Sequence, residues 1–376
     1  MTHSDDDPLP PHAPFGRFFL PGPTEVHPDV LEAMTRPMIG HRGPGLSALL
    51  ARVQPVLREV FRTSRPVFVS SSSATGMMEA AVRNGVRRRA LCLVNGAFSA
   101  RFRDLVSACG REEETSLVPA GEAHAPEEVL RRLREGGFDA VTVVHSETST
   151  GVLEPLAEIA EAVREAERAT GDEILLLVDV VTSGGGMLVE CDGWGMDLLL
   201  TGSQKALALP PGLAFAAASA RMMERASTIP ARGQYFDLLE FAEHARRDQT
   251  PNTPALPLLY ALAVQAERIR AEGVEARALR HREMAARTMA WVEERGAPRG
   301  LSLFAPEGRR SPTVTAIAAA GEVAAPEICA RMTARGWTLG TGYGELKRGT
   351  FRIGHMGDHT VDELNGLLAV LEEVLG

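Results

Sequence analysis

Of the 40 lysines and arginines in this chain, only two are lysine, Lys205 and Lys347. A guanidinium supplies positive charge as well as an ammonium does. It stays protonated above about pH 12 and forms no Schiff base, whereas a desolvated amine does both base and imine chemistry. A chain so biased toward arginine keeps lysine where amine chemistry is needed. Lys347 lies beside Arg348 in a polar turn and reads as a solvated charge. Lys205 follows the apolar run Asp197-Leu-Leu-Leu-Thr, within Gly-Ser-Gln-Lys-Ala-Leu, at the end of what reads as a buried strand. Asp179 closes a second such run, Ile174-Leu-Leu-Leu-Val, before a glycine-rich turn. Ligands of open α/β sheets bind beyond the carboxyl ends of the strands. A carboxylate buried there is costly unless a cation or hydrogen bond partners it. A protonated heterocyclic nitrogen would be such a partner; a cap on the following turn is the alternative. The 26 positions from Asp179 to Lys205 span about one turn and one neighbouring strand, so both can face one cleft.

A third segment, Phe68-Val-Ser-Ser-Ser-Ser-Ala-Thr-Gly, runs from a strand through four serines into a helical pattern. Backbone N–H groups and hydroxyls then converge on the positive end of a helix dipole, where a phosphate would be held. A serine-rich N-cap without ligand is the other reading. There is no GxxxxGK[ST] loop for a nucleoside triphosphate. The glycines Gly340, Gly342 and Gly344 follow a strand with no helix after them and read as a plain turn.

These residues are carried by α/β patterning. Strands are expected at 66–70, 90–94, 140–145, 174–180 and 197–201, with helices at 77–86, 126–135 and 155–169 between them. Apolar runs without polar alternation indicate a mainly parallel sheet covered on both faces. One or two long helices follow over 254–295. Strands at 301–304, 313–318 and 350–353, with helices at 325–335 and 361–374, form a smaller α+β part. The expected division is a flexible tail over 1–14, a large domain over 15–260, and a long helix with a small C-terminal domain over 261–376.

Composition narrows the function. Hydrophobic residues make up 44% and charged residues 24%, as in ordinary globular proteins, and no apolar run reaches the roughly 18 residues of a bilayer span. A net charge of -9 disfavours nucleic acid and favours small-molecule ligands. The four cysteines, Cys92, Cys109, Cys191 and Cys329, show neither disulfide nor zinc spacing, so no metal site is expected and a reducing cytoplasm fits.

A phosphate cradle, a strand-end carboxylate and a strand-end amine together meet the requirements of pyridoxal 5'-phosphate. With Leu-Val-Asp179, Gly-Ser-Gln-Lys205-Ala-Leu, His145-Ser-Glu-Thr-Ser-Thr-Gly-Val-Leu-Glu-Pro155 and Pro21-Gly-Pro-Thr24, the chain resembles the class V aminotransferases of fold type I, in the alanine–glyoxylate and serine–pyruvate group, from about Phe19 onward. The resemblance implies a large domain with a mainly parallel sheet sandwiched by helices and a smaller C-terminal α+β domain. It makes Lys205 the Schiff-base lysine and Asp179 the partner of the pyridine nitrogen. Ser73, Ala74, Thr75 and Gln204 would surround the phosphate, Thr148 would lie beside the cofactor ring, and Phe98 would stack on it. Phe98 stands where relatives often carry Trp or Tyr, Ala74 where several have Gly, and Thr75 where some have His. Arg352, in Phe-Arg-Ile-Gly-His-Met-Gly, corresponds to the arginine that binds the substrate carboxylate, with Pro23 and Thr24 on the substrate side. Thr250 and Thr253 resemble the segment through which a neighbouring subunit reaches the phosphate, which implies a homodimer with shared active sites. His41 and His355 flank these loops and read as packing or hydrogen-bonding groups. The activity implied is ping-pong transfer of an amino group from alanine or serine to glyoxylate or pyruvate. A phosphoserine aminotransferase, a cysteine desulfurase-like lyase and a non-catalytic cofactor-binding regulator are the rivals. The lyase needs a nucleophilic thiol, and Cys329 sits in a helical context that favours burial. The regulator leaves Lys205, Asp179 and Arg352 together without a purpose.

Overall fold

The computed structural model describes residues 14–376, so all but the last residue of the expected tail lies outside it. Five strands, Arg89–Val94, Glu112–Leu117, Ala140–Val144, Leu175–Asp179 and Leu198–Gly202, pair in parallel. Ala214–Ala218 runs antiparallel to Leu198–Gly202 on one side and to Val67–Ser70 on the other, which completes a seven-stranded sheet. The antiparallel return has a local cause. Parallel neighbours need a crossover, usually a helix, and residues 203–213 contain none. Lys205 therefore lies in a short connection held at the carboxyl edge of the sheet.

Helices cover both faces, and neighbouring strand residues alternate between two cores. Leu176 and Val178 pack with Ile159, Val163 and Ala166 of the Leu156–Thr170 helix. Leu175 and Leu177 pack with Met78, Ala81 and Val82 of the Ala74–Gly85 helix and with Phe102 and Val106 of the Ala97–Ala108 helix. Burial on both faces explains why these strands are unbroken apolar runs.

A second sheet has the order Phe18–Phe19, Thr338–Thr341, Thr350–Ile353, Thr315–Ala319, Leu301–Leu303. Its core joins Phe19, Leu339, Phe351 and Ile353 to Ile328, Leu364 and Leu367. Two structural features cross the division expected from sequence. Phe18 and Phe19 fall inside the expected 15–260 domain but pair in parallel with Thr338 and Leu339 of the second sheet. The boundary at 260 falls within the Leu256–Glu272 helix, whose Leu256, Leu259, Leu262 and Ile269 belong to the main core. The long helical stretch is two helices, Leu256–Glu272 and Val274–Trp291, which turn at Gly273.

At the edge opposite Lys205, Arg225 is buried to 1% exposure. Its guanidinium donates to the carbonyls of Gly85 and Asp139 at 3.0 Å and of Glu173 at 2.9 Å, and to the Glu173 carboxylate at 2.6 Å. Gly85 ends a helix, where carbonyls lack partners within the helix, and Asp139 and Glu173 precede two central strands. Replacement by an apolar residue leaves these acceptors unpaired. Arg225→Met is expected to lower unfolding stability by about 3 kcal/mol in urea titrations.

Candidate active site

The backbone at Lys205 is fixed from below. Arg277, 2% exposed, donates to the carbonyl of Ala206 at 2.8 Å and to that of Gly185 at 3.1 Å. It is itself paired with Glu272 at 2.7 Å and Asp358 at 2.8 Å. The connection that carries the amine is thus tied to the turn that follows Asp179.

Lys205 is buried, and its Nζ donates to the carbonyl of Pro21 and, at 3.4 Å, to Thr148 Oγ1. Thr148 Oγ1 also shares a 2.5 Å hydrogen bond with Thr182 Oγ1. Burial first, and then the nearby Arg352 guanidinium, push the amine down to about 7. A large part of its population is therefore neutral, and so nucleophilic and basic, near neutrality. Pro21-Gly-Pro-Thr24 runs directly over it. Gly22 has φ +100°, and a Cβ there would stand 2.8 Å from Lys205 Nζ, so both backbone shape and space require glycine. Thr24 N donates to the Gln204 carbonyl at 2.9 Å and Thr24 Oγ1 to the Met356 carbonyl at 3.2 Å, while Pro23 is exposed.

Asp179 ends its strand at 2% exposure, and burial pushes its carboxyl up to about 7. Oδ1 accepts from Val181 N at 2.6 Å, and among the described residues Oδ2 accepts no hydrogen bond. Ser73 is the N-cap of the Ala74–Gly85 helix and makes no side-chain cap bond. Thr75 lies half-buried in the first turn. Ala74 approaches Gln204 across Gly202, where a Cβ would lie 2.5 Å from Gln204 Oε1 and 3.2 Å from Ala74 Cβ. The strand–helix turn and the Lys205 connection are therefore neighbours.

Arg352 lies on Thr350–Ile353 of the second sheet, 8% exposed. Nε and Nη2 donate to the Thr341 carbonyl at 3.0 and 2.8 Å, and Nη1 to the Thr148 carbonyl at 3.1 Å. A guanidinium has five N–H groups, so one on each terminal nitrogen is left without a partner among the described residues. Phe98, in the first turn of Ala97–Ala108, has its ring centroid 5.7 Å from Lys205 Nζ and 5.3 Å from the Tyr343 ring.

Lys205, Asp179, Thr148, Phe98, Gln204 and Arg352 are thus assembled around one locus, with Thr24 and Ala74 at its borders. Thr250 and Thr253 are not joined to it within this chain. Thr250 Oγ1 donates to the Asn252 carbonyl at 2.7 Å, Thr253 is exposed, and the segment is tied to the serine turn through Ala255 N and Ser71 Oγ at 2.8 Å. Lys347 and His41 are exposed, and His355 is buried against Thr315 Oγ1 at 2.8 Å. Sequence reasoning missed Arg277, Thr182, Tyr343 and Arg101. Arg101 lies 5.0 Å over the Phe98 ring and donates to Tyr343 Oη at 3.3 Å. Its spacing of three from Phe98 on one helix face was the available signal.

Comparison with known proteins decides the family. The model of the aminotransferase class-V family matches residues 116–324. The chain is 37% identical to an uncharacterised aminotransferase of Methanocaldococcus jannaschii, over 95% of this chain and 91% of that one. The chain belongs to the class-V aminotransferases. It is 34% identical to the L-aspartate–glyoxylate aminotransferase of Paracoccus denitrificans, over 91% of this chain and 86% of that one. The solved structure of an alanine–glyoxylate aminotransferase from Nostoc sp. superposes with a TM-score of 0.89 at 30% identity over 100% of both chains. The fold is the pyridoxal-phosphate fold type I, and the enzyme is a pyridoxal-phosphate-dependent transaminase acting on amino acids and 2-oxo acids.

The residues present fit that cofactor. Asp179 is buried and its Oδ2 has no hydrogen-bond partner among the described residues, as suits the partner of a protonated ring nitrogen, and the Ser73 side chain leaves the Ala74 and Thr75 N–H groups available for phosphate. The unfolded Asp179 carboxyl titrates near its ordinary 3.8, the folded one near 7. Between these values the folded chain takes up a proton, and above about 7 it carries the full cost of a buried charge, so the destabilisation grows with pH and then levels off. In cofactor-free protein, Asp179→Asn is expected to raise stability at about pH 8 by on the order of 1–3 kcal/mol and by much less at about pH 5. Paired urea titrations at the two pH values check this. In the same variant, transamination is expected to collapse.

Proposed function

We propose that this aminotransferase moves the amino group of alanine or serine to glyoxylate by a ping-pong route, as a cytoplasmic homodimer with shared active sites. The observation that carries the proposal is the nearness of a buried Lys205 amine, whose proton affinity burial lowers to about 7, to an Arg352 guanidinium that keeps two N–H groups for a carboxylate. The Paracoccus and Nostoc relatives share glyoxylate in their names and differ in the donor, which supports glyoxylate as acceptor.

When bound, pyridoxal 5'-phosphate supplies the electron sink and carries the amino group between the two half-reactions. Ser73, Thr75 and Gln204 would surround its phosphate, and Asp179 would keep its ring nitrogen protonated. Arg352 binds the substrate carboxylate and so fixes the α-carbon. Lys205 Nζ, in hydrogen-bond contact with Thr148 Oγ1 and the Pro21 carbonyl, takes the proton from that α-carbon as a general base matched to neutral pH. Phe98 offers an apolar face that keeps water from the ring. Thr250 and Thr253, which make no hydrogen bond to Lys205 among the described residues, would reach the phosphate of a second copy.

The lyase alternative is not supported, because burial pushes the thiols of Cys92, Cys191 and Cys329 up to about 11 and the half-buried Cys109 is also raised. No helix among the described residues is long and apolar enough to cross a membrane.

Single amino acids added to the cofactor-loaded enzyme should discharge the visible band of the bound cofactor, fastest with alanine or serine, and Lys205→Ala should abolish the change. Conversion by aspartate alone would overturn the donor, and no conversion by any amino acid would overturn the reading. Arg352→Lys is expected to lower kcat/KM for the donor by roughly 100-fold, mostly through KM, because a point charge cannot replace the fork. Sedimentation should show a dimer.

A further inference from the structure

Glu147 is the one carboxylate of His145-Ser-Glu-Thr-Ser-Thr-Gly, and the site as described leaves it unused. Its side chain is 0% exposed, and among the described residues it has no lysine, arginine or histidine at ion-pair distance. Neutral donors satisfy it instead. Oε2 accepts from Phe98 N at 3.0 Å, Ser99 N at 2.9 Å and Ser99 Oγ at 3.0 Å. Oε1 accepts from Ser149 N at 3.1 Å and Ser149 Oγ at 2.6 Å. Phe98 N and Ser99 N belong to the first turn of the Ala97–Ala108 helix, where N–H groups lack intrahelical acceptors and the dipole favours an anion. Glu147 therefore serves as a cap supplied from a distant strand. The fit is close: a Cβ on Gly96 would stand 2.5 Å from Glu147 Cδ and 2.6 Å from Ser149 Oγ.

The next residue links this cap to the reacting groups. Thr148 Oγ1 meets Lys205 Nζ at 3.4 Å, and the Thr148 carbonyl accepts from Arg352 Nη1 at 3.1 Å. Three consecutive residues, 147–149, thus hold the Phe98 helix on one side and both Lys205 and Arg352 on the other. We propose that Glu147 is a positioning residue that sets the Phe98 ring against Lys205 and fixes the Thr148 carbonyl that orients Arg352. A glutamate does this because both carboxylate oxygens can accept, and every group facing them donates. Glutamine of the same size would turn an NH2 group toward N–H and O–H donors.

The test compares Glu147→Gln with the unaltered enzyme. In cofactor-free protein, amide hydrogen exchange at Phe98 and Ser99 should be slow in the unaltered chain, although helix first-turn amides usually exchange fast. The substitution should speed it at least tenfold. In cofactor-loaded enzyme, the visible circular dichroism of the bound cofactor should change and kcat should fall at least tenfold, with a smaller change in KM. Fast exchange at both amides in the unaltered chain would overturn the proposal. So would accelerated exchange in Glu147→Gln with unchanged dichroism and kcat, since the cap would then be structural only. If Glu147→Gln does not fold, the double variant Ser99→Ala with Ser149→Ala keeps the carboxylate and its backbone bonds and removes both hydroxyl donors. It should move the same readouts in the same direction by a smaller factor, and no movement would overturn the proposal.

Discussion

The structure depends on holding an amine and a carboxylate out of water at the carboxyl edge of one sheet. Alone, each would shed its charge: burial brings the Lys205 amine down to about 7 and the Asp179 carboxyl up to about 7. Both groups stand at strand ends whose neighbours are leucines and valines buried on both faces. The apolar core fixes their positions and creates their altered proton affinities in one arrangement. A cationic cofactor ring that meets Asp179 would offset the cost of burying its charge. The protein is thus built to be most stable with its cofactor bound.

The second sheet contributes what the first cannot. Arg352 enters from Thr350–Ile353 and is held by carbonyls from both parts, Thr341 on its own sheet and Thr148 from the main one. The Pro21–Thr24 segment follows the Phe18–Phe19 strand of the second sheet and passes over Lys205 to Gln204. Arg277 and Asp358 brace the Lys205 connection from beneath. Substrate orientation and amine chemistry therefore share one frame. A shift in the Glu147–Ser149 segment would be felt by both.

Much of this was legible in the sequence because the deciding signals are local. An aspartate or a lysine directly after an apolar run places a functional group at a strand end, and the scarcity of lysine singled out Lys205. The strands ending at Asp179 and Gly202 came out within a residue or two, since burial on both faces writes an unbroken apolar run. What escaped was set by distant pairing. Phe18–Phe19 is too short to show a period, and its partner lies more than 300 residues away. Ala214–Ala218, four alanines and a phenylalanine, has weak strand preference and is a strand because two neighbours hydrogen-bond it. Glu147 and Tyr343 act through partners that only the fold brings near, and Thr250 and Thr253 make no hydrogen bond to their own Lys205 among the described residues.

The central claim is that Lys205 is the amine that bonds the cofactor, and the chain's two lysines make it directly testable. Borohydride reduction of the cofactor-loaded enzyme, followed by proteolysis and mass spectrometry, locates the attached group. The account requires one cofactor mass per chain, on the peptide that contains Lys205, and none on the peptide that contains Lys347. Label on Lys347, or an unmodified Lys205 in protein that retains its cofactor, would contradict it.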